Sequence, residues 1–446
     1  MRYPAPLCRS TSQARHTRLV PLPPNLTWGG HAARTILATV LVAVSLTSAV
    51  ARELTVATWN LGWHMSQAEA KEWIGQCGQP FAFNAATQLW EPSTTGETKP
   101  GWTLKWGRDA KIKWDIAQRP PCDVFQANFK IVPATEAAYQ KRANQIRNFV
   151  ASNLDADILA FQEVSGEAAV REVLPNNGAD YYYCGFSEFK VQRLVIAWKK
   201  ALGQATDCLV EATLSLPALP AADQVRPGLS ATLQIDGKPL RIMTVHLKSS
   251  CVSPFENRGK LEGDVEACTI LQRQVPLLEA WLEARASGTP VILLGDFNRN
   301  LSHEKSQIAL ANVRTDGSDP KSALPSGVRV RSLFGEINDG APSETTLTLL
   351  EPECPVNAVA RDICSRSKNE FFTQDALKPL TRATSLGCRN PIGLDQILVT
   401  TGLTSTSPAT KVAVGALGGT RPATAKHPEP LLAISDHCPL KATFNF

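Results

Sequence analysis

Several features that would settle the class of this sequence at once are missing, and each absence removes an option. Its 446 residues contain no Cys-x-x-Cys pair and no cysteine–histidine grouping at zinc-ligand spacing, which argues against a metal site built on thiolates. There is no repeat period, no βαβ regularity, and no linker that would divide residues 52–446. No apolar run reaches the roughly 20 residues that comfortably span a bilayer. Net charge is also missing from most of the chain. Five of the 46 basic residues fall in residues 1–51, which hold no acid, so the remainder carries 41 charges of each sign. A chain balanced in this way has no global field to draw in polyanions, and any phosphate must be met by local patches.

What is present begins with an apolar run from Thr35 to Val50, preceded by Arg34 and ending at Ala49-Val50-Ala51. This has the form of an export signal with its cleavage site. Residues 1–51 are therefore expected to be a signal peptide, with an over-long start, and an uncleaved anchor is the less favoured alternative. The expected location is secreted or periplasmic. Of eleven cysteines, Cys8 lies in this leader and ten remain, an even number that fits disulfides in an oxidising compartment. Cys184 with Cys208, and Cys251 with Cys268, each bracket a local excursion and are natural pairs.

Short alternating or β-branched runs predict strands over 54–60, 157–163, 193–198, 230–235, 241–246, 291–296, 395–400 and 441–444. Helix spacing marks 135–153 and 264–286, the second containing Pro276, where a kink is expected. Strands with few helices predict one layered α/β domain over 52–446. Two stretches read as insertions on one rim: 64–130, rich in tryptophan and phenylalanine, and 300–392, rich in proline, serine and cysteine.

Polar residues recur where the apolar runs stop. TVATWN ends at Asn60, ILAFQE at Glu163, IMTVH at His246, and ILLGDFN at Asp296 and Asn298. LDQILV contains Asp395, and ISDH places Asp436 and His437 before the last strand. One such residue is ordinarily a turn former. Six sites on runs that build one core point instead to a shared polar cleft of the kind metal-assisted hydrolysis needs.

The ordered set WN, QE, HLKS, GDFN, LDQ and SDH resembles the endonuclease/exonuclease/phosphatase superfamily across essentially all of residues 52–446. The resemblance implies a deoxyribonuclease-like fold, a four-layered α/β sandwich of two packed mixed β-sheets flanked by helices. It also implies phosphoric ester hydrolysis with Mg²⁺, or alternatively Mn²⁺ or Ca²⁺. Glu163 matches the principal metal ligand, and Asn60 and Asp436 complete or orient its shell; a hard carboxylate suits that ion. Asp296 and His437 are joint candidates for positioning and deprotonating the attacking water, Asp395 orients His437, and His246 can pass a proton or stabilise charge. Asn298 and Asn60 would contact phosphate oxygens, as would Lys248 and, more loosely, Arg193. The chain departs from compact members in its spacing: Asn60 and Glu163 lie 103 positions apart, and Asp296 and Asp395 lie 99 apart.

Those insertions border on the substrate question. Gly101 to Asp115 alternates Trp102, Trp106 and Trp114 with Lys105, Arg108, Lys111 and Lys113. Aromatic platforms among basic groups can stack bases and follow a phosphate backbone. The competing reading makes the tryptophans the core of a mini-domain closed by Cys77 and Cys122, and a membrane interface is a third. The leading expectation is a monomeric nuclease acting on DNA or RNA, with no stable protein partner. A sphingomyelinase-like phospholipid phosphodiesterase or phosphomonoesterase is the alternative, and an exported binding protein without turnover is the alternative of another class.

Overall fold

Period-two alternation gives each strand one apolar row that must face another layer. In the computed structural model those rows meet between two sheets. The structure describes residues 52–105, 110–221, 223–257, 260–263, 265–307, 332–368 and 374–446. The expected signal peptide lies outside them, as do Trp106 and Arg108. Ala51–Phe446 form one compact unit.

The core strands are β1 (Glu53–His64), β2 (Ile158–Val164), β3 (Tyr181–Gly185), β4 (Arg193–Lys199), β5 (Ala205–Glu211), β6 (Gly228–Ile235), β7 (Lys238–His246), β8 (Val291–Asp296), β9 (Leu347–Leu349), β10 (Asp395–Thr400) and β11 (Leu440–Asn445). One sheet has the order β11-β1-β2-β4-β3, with the short strand Thr410–Lys411 also on β11; the other has the order β5-β6-β7-β8-β10-β9. Both are mixed: β1 pairs β2 and β7 pairs β8 in parallel, whereas β8 pairs β10 antiparallel. Leu54 and Val56 of β1, Ile158 of β2, Ile242 of β7 and Leu294 of β8 share the core between the sheets.

Helices cover the outer faces. Trp59 and Leu61 on the back of β1 pack with Ile146 and Phe149 of α2 (Glu136–Phe149). Val245 and Leu293 pack with Leu271, Val275 and Leu278 of α4 (Val265–Ala286), which runs through Pro276 as one helix. This is the four-layered α/β sandwich expected from the sequence.

The insertions are more ordered than their sequences suggest. Residues 64–130 contain α1 (Gln67–Gly78), started by a capping box in which Ser66 and Glu69 satisfy each other's backbone N–H groups. They also hold a three-stranded sheet and a hairpin pairing Gln126–Ala127 with Lys130–Ile131. Trp73, Phe125 and the Cys77–Cys122 disulfide form their core. The stretch 300–392 is expected to be a long loop or a small disulfide-tied subdomain on one rim; its described residues hold the Cys354–Cys364 bridge, supply β9 to the second sheet, and place Ala360 and Leu380 in the core behind the first. Both anticipated bridges, Cys184–Cys208 and Cys251–Cys268, are present, and Cys354–Cys364 and Cys388–Cys438 complete the pairing of the ten cysteines from Cys77 to Cys438.

Candidate active site

The row between the sheets stays apolar until it nears one edge, where it turns polar in steps. Thr58 donates to Gln162 Oε1 at 3.1 Å, and Gln162 Nε2 donates to Thr244 Oγ1 at 3.1 Å, joining β1, β2 and β7 across the sandwich. One step further along the same row stand Asn60 on β1, His246 on β7 and Asp296 on β8, with Asp395 paired beside Asp296 on β10. Strict alternation would turn Glu163 away from Gln162. Its backbone instead adopts φ 54°, and the pairing of β2 slips a register there, so Glu163 returns to Asn60. Gly295 permits the close approach of β8 to β7, since a Cβ there would fall 2.2 Å from the Val245 carbonyl oxygen.

Asn60 ties the acids together: its Nδ2 lies 2.9 Å from Asp296 Oδ2 and 3.3 Å from Glu163 Oε1. The Trp63 N–H donates to Glu163 Oε2 at 3.2 Å. His246 Nε2 stands 3.5 Å from Glu163 Oε1 and 3.6 Å from Asp296 Oδ2, and His437 Nε2 is 3.9 Å from the latter oxygen. Behind His437, Nδ1 is 3.1 Å from Asp395 Oδ1, and Lys411 Nζ holds Asp395 Oδ2 at 2.9 Å. The loop carrying His437 is fastened to β1: Ser435 Oγ donates to the Asn60 carbonyl at 2.5 Å and Trp59 Nε1 donates to the His437 carbonyl at 3.0 Å.

Charge follows from these surroundings. Burial raises Asp296 to about 7, despite the opposing pull of His437 and the Asn60 amide. Burial also opposes ionisation of Asp395, but Lys411 and His437 outweigh it and bring the acid down to about 2. For His437, burial acts to lower the pKa, and Asp395 with its hydrogen bond overrides that and carries the ring up to about 10. His246 has no such carboxylate behind it; burial, then Arg226 and His437, push it well below the usual imidazole value. Glu163 is raised, chiefly by burial.

Two expected phosphate contacts are placed differently. The Arg193 guanidinium donates to the carbonyls of Ser165 and Phe189, because it stands beside the register slip in β2 and supports that bend. Strand β7 ends at His246, so Lys248 does not share its face by alternation, and its Nζ donates to the Ser249 carbonyl at 3.0 Å. Asn298 does reach the cluster: its N–H donates to Asp296 Oδ1 at 2.9 Å, and its Nδ2 donates to the Leu247 carbonyl. Trp73, Trp102 and Trp114 of the first insertion are packing residues. Trp73 is fully buried edge-on to Trp102, and Trp114 lies against Phe81 with its indole N–H on the Pro120 carbonyl.

Sequence reasoning missed Arg226, Lys411, Arg389 and Asn390. Arg226 precedes β6, whose antiparallel pairing with β7 brings it to the His246 end of that strand. Arg389 and Asn390 donate to Asp436 Oδ2 at 2.8 and 3.1 Å, and the Cys388–Cys438 disulfide joins their loop to the Asp436-His437 loop. The cysteine positions were the one available signal.

Two places merit a test as a cation site. Asp296, Asp395 and His437 bring ligand atoms within 4.8 Å of one another, but Asp395 already faces two cationic partners in Lys411 and His437. A further cation there would be repelled. Glu163 and Asp436, by contrast, both border a cleft of about 850 Å³; burial and the Asp436 charge raise Glu163, whereas for Asp436 burial is outweighed by His437 and Arg389, which keep it ionised. Gly62, at φ 55°, lets Asp436 approach, since a Cβ would fall 3.0 Å from its Oδ1. Two crowded carboxylates beside the Asn60 amide form a hard oxygen set, and a divalent cation would relieve their desolvation, so these residues fit the expected metal.

The chain matches the model of the Endonuclease/Exonuclease/phosphatase family over residues 57–437. No curated protein matches it. Among solved structures, ANGEL2, a 2',3'-cyclic phosphatase in complex with adenosine-2',3'-vanadate, shares 17% identity at a TM-score of 0.41, covering 88% of this chain and 96% of that one. An endonuclease/exonuclease/phosphatase family protein from Bacteroides thetaiotaomicron shares 14% at 0.40, covering 88% and 98%. Humanized D. rerio TDP2 shares 11% at 0.38, covering 88% and 99%.

Proposed function

We propose that this chain, which belongs to the endonuclease/exonuclease/phosphatase family, is an exported, metal-dependent phosphodiester hydrolase whose substrate is nucleic acid. Members of the family are phosphoric ester hydrolases and generally use divalent metal ions. The observation that carries the reading is the meeting of two unlike pairs at one point: Glu163 with Asp296, and a low-pKa His246 with a high-pKa His437, all within 3.5 to 3.9 Å contacts.

The residues divide the work by charge. Glu163, with Asn60 and Asp436, would hold Mg²⁺, or Mn²⁺ or Ca²⁺ in its place. When bound, the metal supplies neutralisation of the phosphate and stabilises charge on the leaving oxygen. Asp296, raised to about 7, is matched to take a proton from the attacking water at neutral pH, and the Asn298 N–H holds its second oxygen in place. His437 is the weaker candidate for that base, because a ring held at about 10 is already protonated at neutral pH. It serves instead as an imidazolium facing the phosphate, oriented through Nδ1 by Asp395. His246, kept neutral, offers hydrogen bonding beside it without adding charge. The net reaction adds water across one P–O bond and releases an alcohol and a phosphate ester.

The disulfides support export, since such bonds persist in oxidising compartments. The test uses chain purified after export with plasmid DNA, RNA, sphingomyelin dispersions and a bis-aryl phosphate, with Mg²⁺ or chelator, beside His437→Ala. Nucleic-acid cutting abolished by chelator and reduced at least about 100-fold in the variant is expected. Lipid turnover alone would replace the substrate assignment, and inactivity towards every substrate with metal present would overturn catalysis.

A further inference from the structure

The cleft that contains Glu163 and Asp436 is bordered by two strips of chain outside the core sheets, Asp123–Asn128 and Gly418–Pro422. The first begins next to Cys122, which the Cys77 disulfide anchors in the mini-domain, and runs into the hairpin of Gln126–Ala127 with Lys130–Ile131. The turn of that hairpin is Asn128-Phe129, both left-handed at φ 50° and 63°. Phe129 is 79% exposed, whereas Phe125 in the same strip is buried in the mini-domain core. A phenylalanine held open at a left-handed turn, where its β-carbon is disfavoured, has no packing role to explain it. The second strip contributes Arg421, which borders the same cleft as Arg389 and Arg226.

We propose that this border selects single-stranded nucleic acid, with Phe129 stacking on one unpaired base next to the scissile phosphate and Arg421 and Arg389 taking the adjoining phosphates. The inference rests on the nuclease reading above and deepens it. Cations lining the cleft and an exposed aromatic ring on the residue after Asn128, which borders it, are the two elements single strands require, because every base offers a π-face and every linkage a charge. A base inside a duplex is already stacked on both sides, so the ring can receive it only after unpairing. One ring flanked by Gln126, Asn128 and Lys130 is also a poor membrane anchor, for which a cluster of apolar side chains is needed.

The experiment measures kcat and KM for a labelled oligonucleotide presented single-stranded and as a blunt duplex, with a bis-aryl phosphate and phospholipid vesicles in parallel. The expected result is a kcat/KM about 10-fold higher on the single strand, with Phe129→Ala losing about 10-fold there, mainly through KM, and Phe129→Trp retaining it. Arg421→Gln is expected to flatten the dependence of single-strand KM on salt. Equal rates on both strand forms, or a Phe129→Ala variant matching wild type, overturn the inference, and a melting curve shows whether each variant is folded. Turnover of the aryl phosphate without either oligonucleotide overturns it while leaving a hydrolase. Turnover of vesicles alone assigns the ring to membrane, and inactivity on all four substrates overturns the underlying reading as well.

Discussion

His437 and His246 approach the same carboxylate oxygen, at 3.9 and 3.6 Å from Asp296 Oδ2, yet at neutral pH the first ring is positive and the second neutral. Burial lowers the pKa of both. What separates them is the residue behind: Asp395 meets Nδ1 of His437, whereas Nδ1 of His246 is buried without a hydrogen-bond partner and Arg226 adds positive charge nearby. Imidazole identity therefore says little about role here, and the group on the far nitrogen decides it. Lys411 extends the same logic, because it keeps Asp395 ionised although that acid is only 3% exposed.

Removing the difference at its source is expected to have the largest effect. Asp395→Asn removes the strongest of the groups that oppose burial and leaves only Asp296 and Asp436, so the His437 pKa falls from about 10 towards neutrality and kcat falls about 10³-fold. The sign can be checked in a pH–rate profile. In the wild type the protonated ring persists until pH rises through about 10, and in the variant that alkaline limb moves down towards neutral pH. The acid limb, set in the wild type by ionisation of Asp296 as pH rises through about 7, responds as well, because the charges of His437 and Asp395 both act on that acid.

A smaller effect is expected at the other ring. Arg226→Met removes a positive neighbour from both His246 and Glu163, and kcat/KM drops about 10-fold. Because a nearby cation lowers an imidazole's pKa, its loss raises that of His246, and the ring's proton resonances should titrate at higher pH than in wild type. An unchanged titration would show that burial alone keeps this ring neutral.

The smallest effect is expected at a third buried ring that takes no part in the cluster. His64 accepts from Arg142 Nη1 at 2.6 Å and stacks on Tyr139, and burial holds its pKa well below the usual value. A group depressed in the folded state contributes its full stability above the unfolded value of roughly 6.5, and loses it as pH falls below that point. His64→Gln is expected to cost about 1 kcal/mol at pH 8 in urea unfolding, yet to lose less stability than wild type on acidification to pH 5.

The strands were legible because strands covered on both faces leave short, nearly continuous apolar runs, and 291–296 and 395–400 were read with their observed bounds. The short helices α1 and Glu167–Val173 were not, since about two to three turns carry too few apolar positions to establish a 3.6 period. Glu163 was legible as a strand-end acid, but the left-handed bend that aims it was not, because a φ of 54° at a non-glycine residue is imposed by its neighbours. Arg226, Lys411 and Asn390 sit in irregular segments with no periodic signal, and only strand pairing and the Cys388–Cys438 bridge bring them to the cluster. The tryptophan-rich insertion shows the reverse case: its composition allowed a stacking platform, and packing around Trp73 took Trp102 and Trp114 into a core instead.

By itself the sequence determined which segments become strands, which hard donors and imidazoles are available, and that the ten cysteines from Cys77 to Cys438 can pair completely. Those properties depend on residue type and local spacing. The tertiary structure alone decided which histidine is charged, which acid is near 7 and which arginines face the cleft. Ionisation depends on burial and on partners brought from distant parts of the chain, as Lys411 and His437 are to Asp395, and no local spacing encodes those distances.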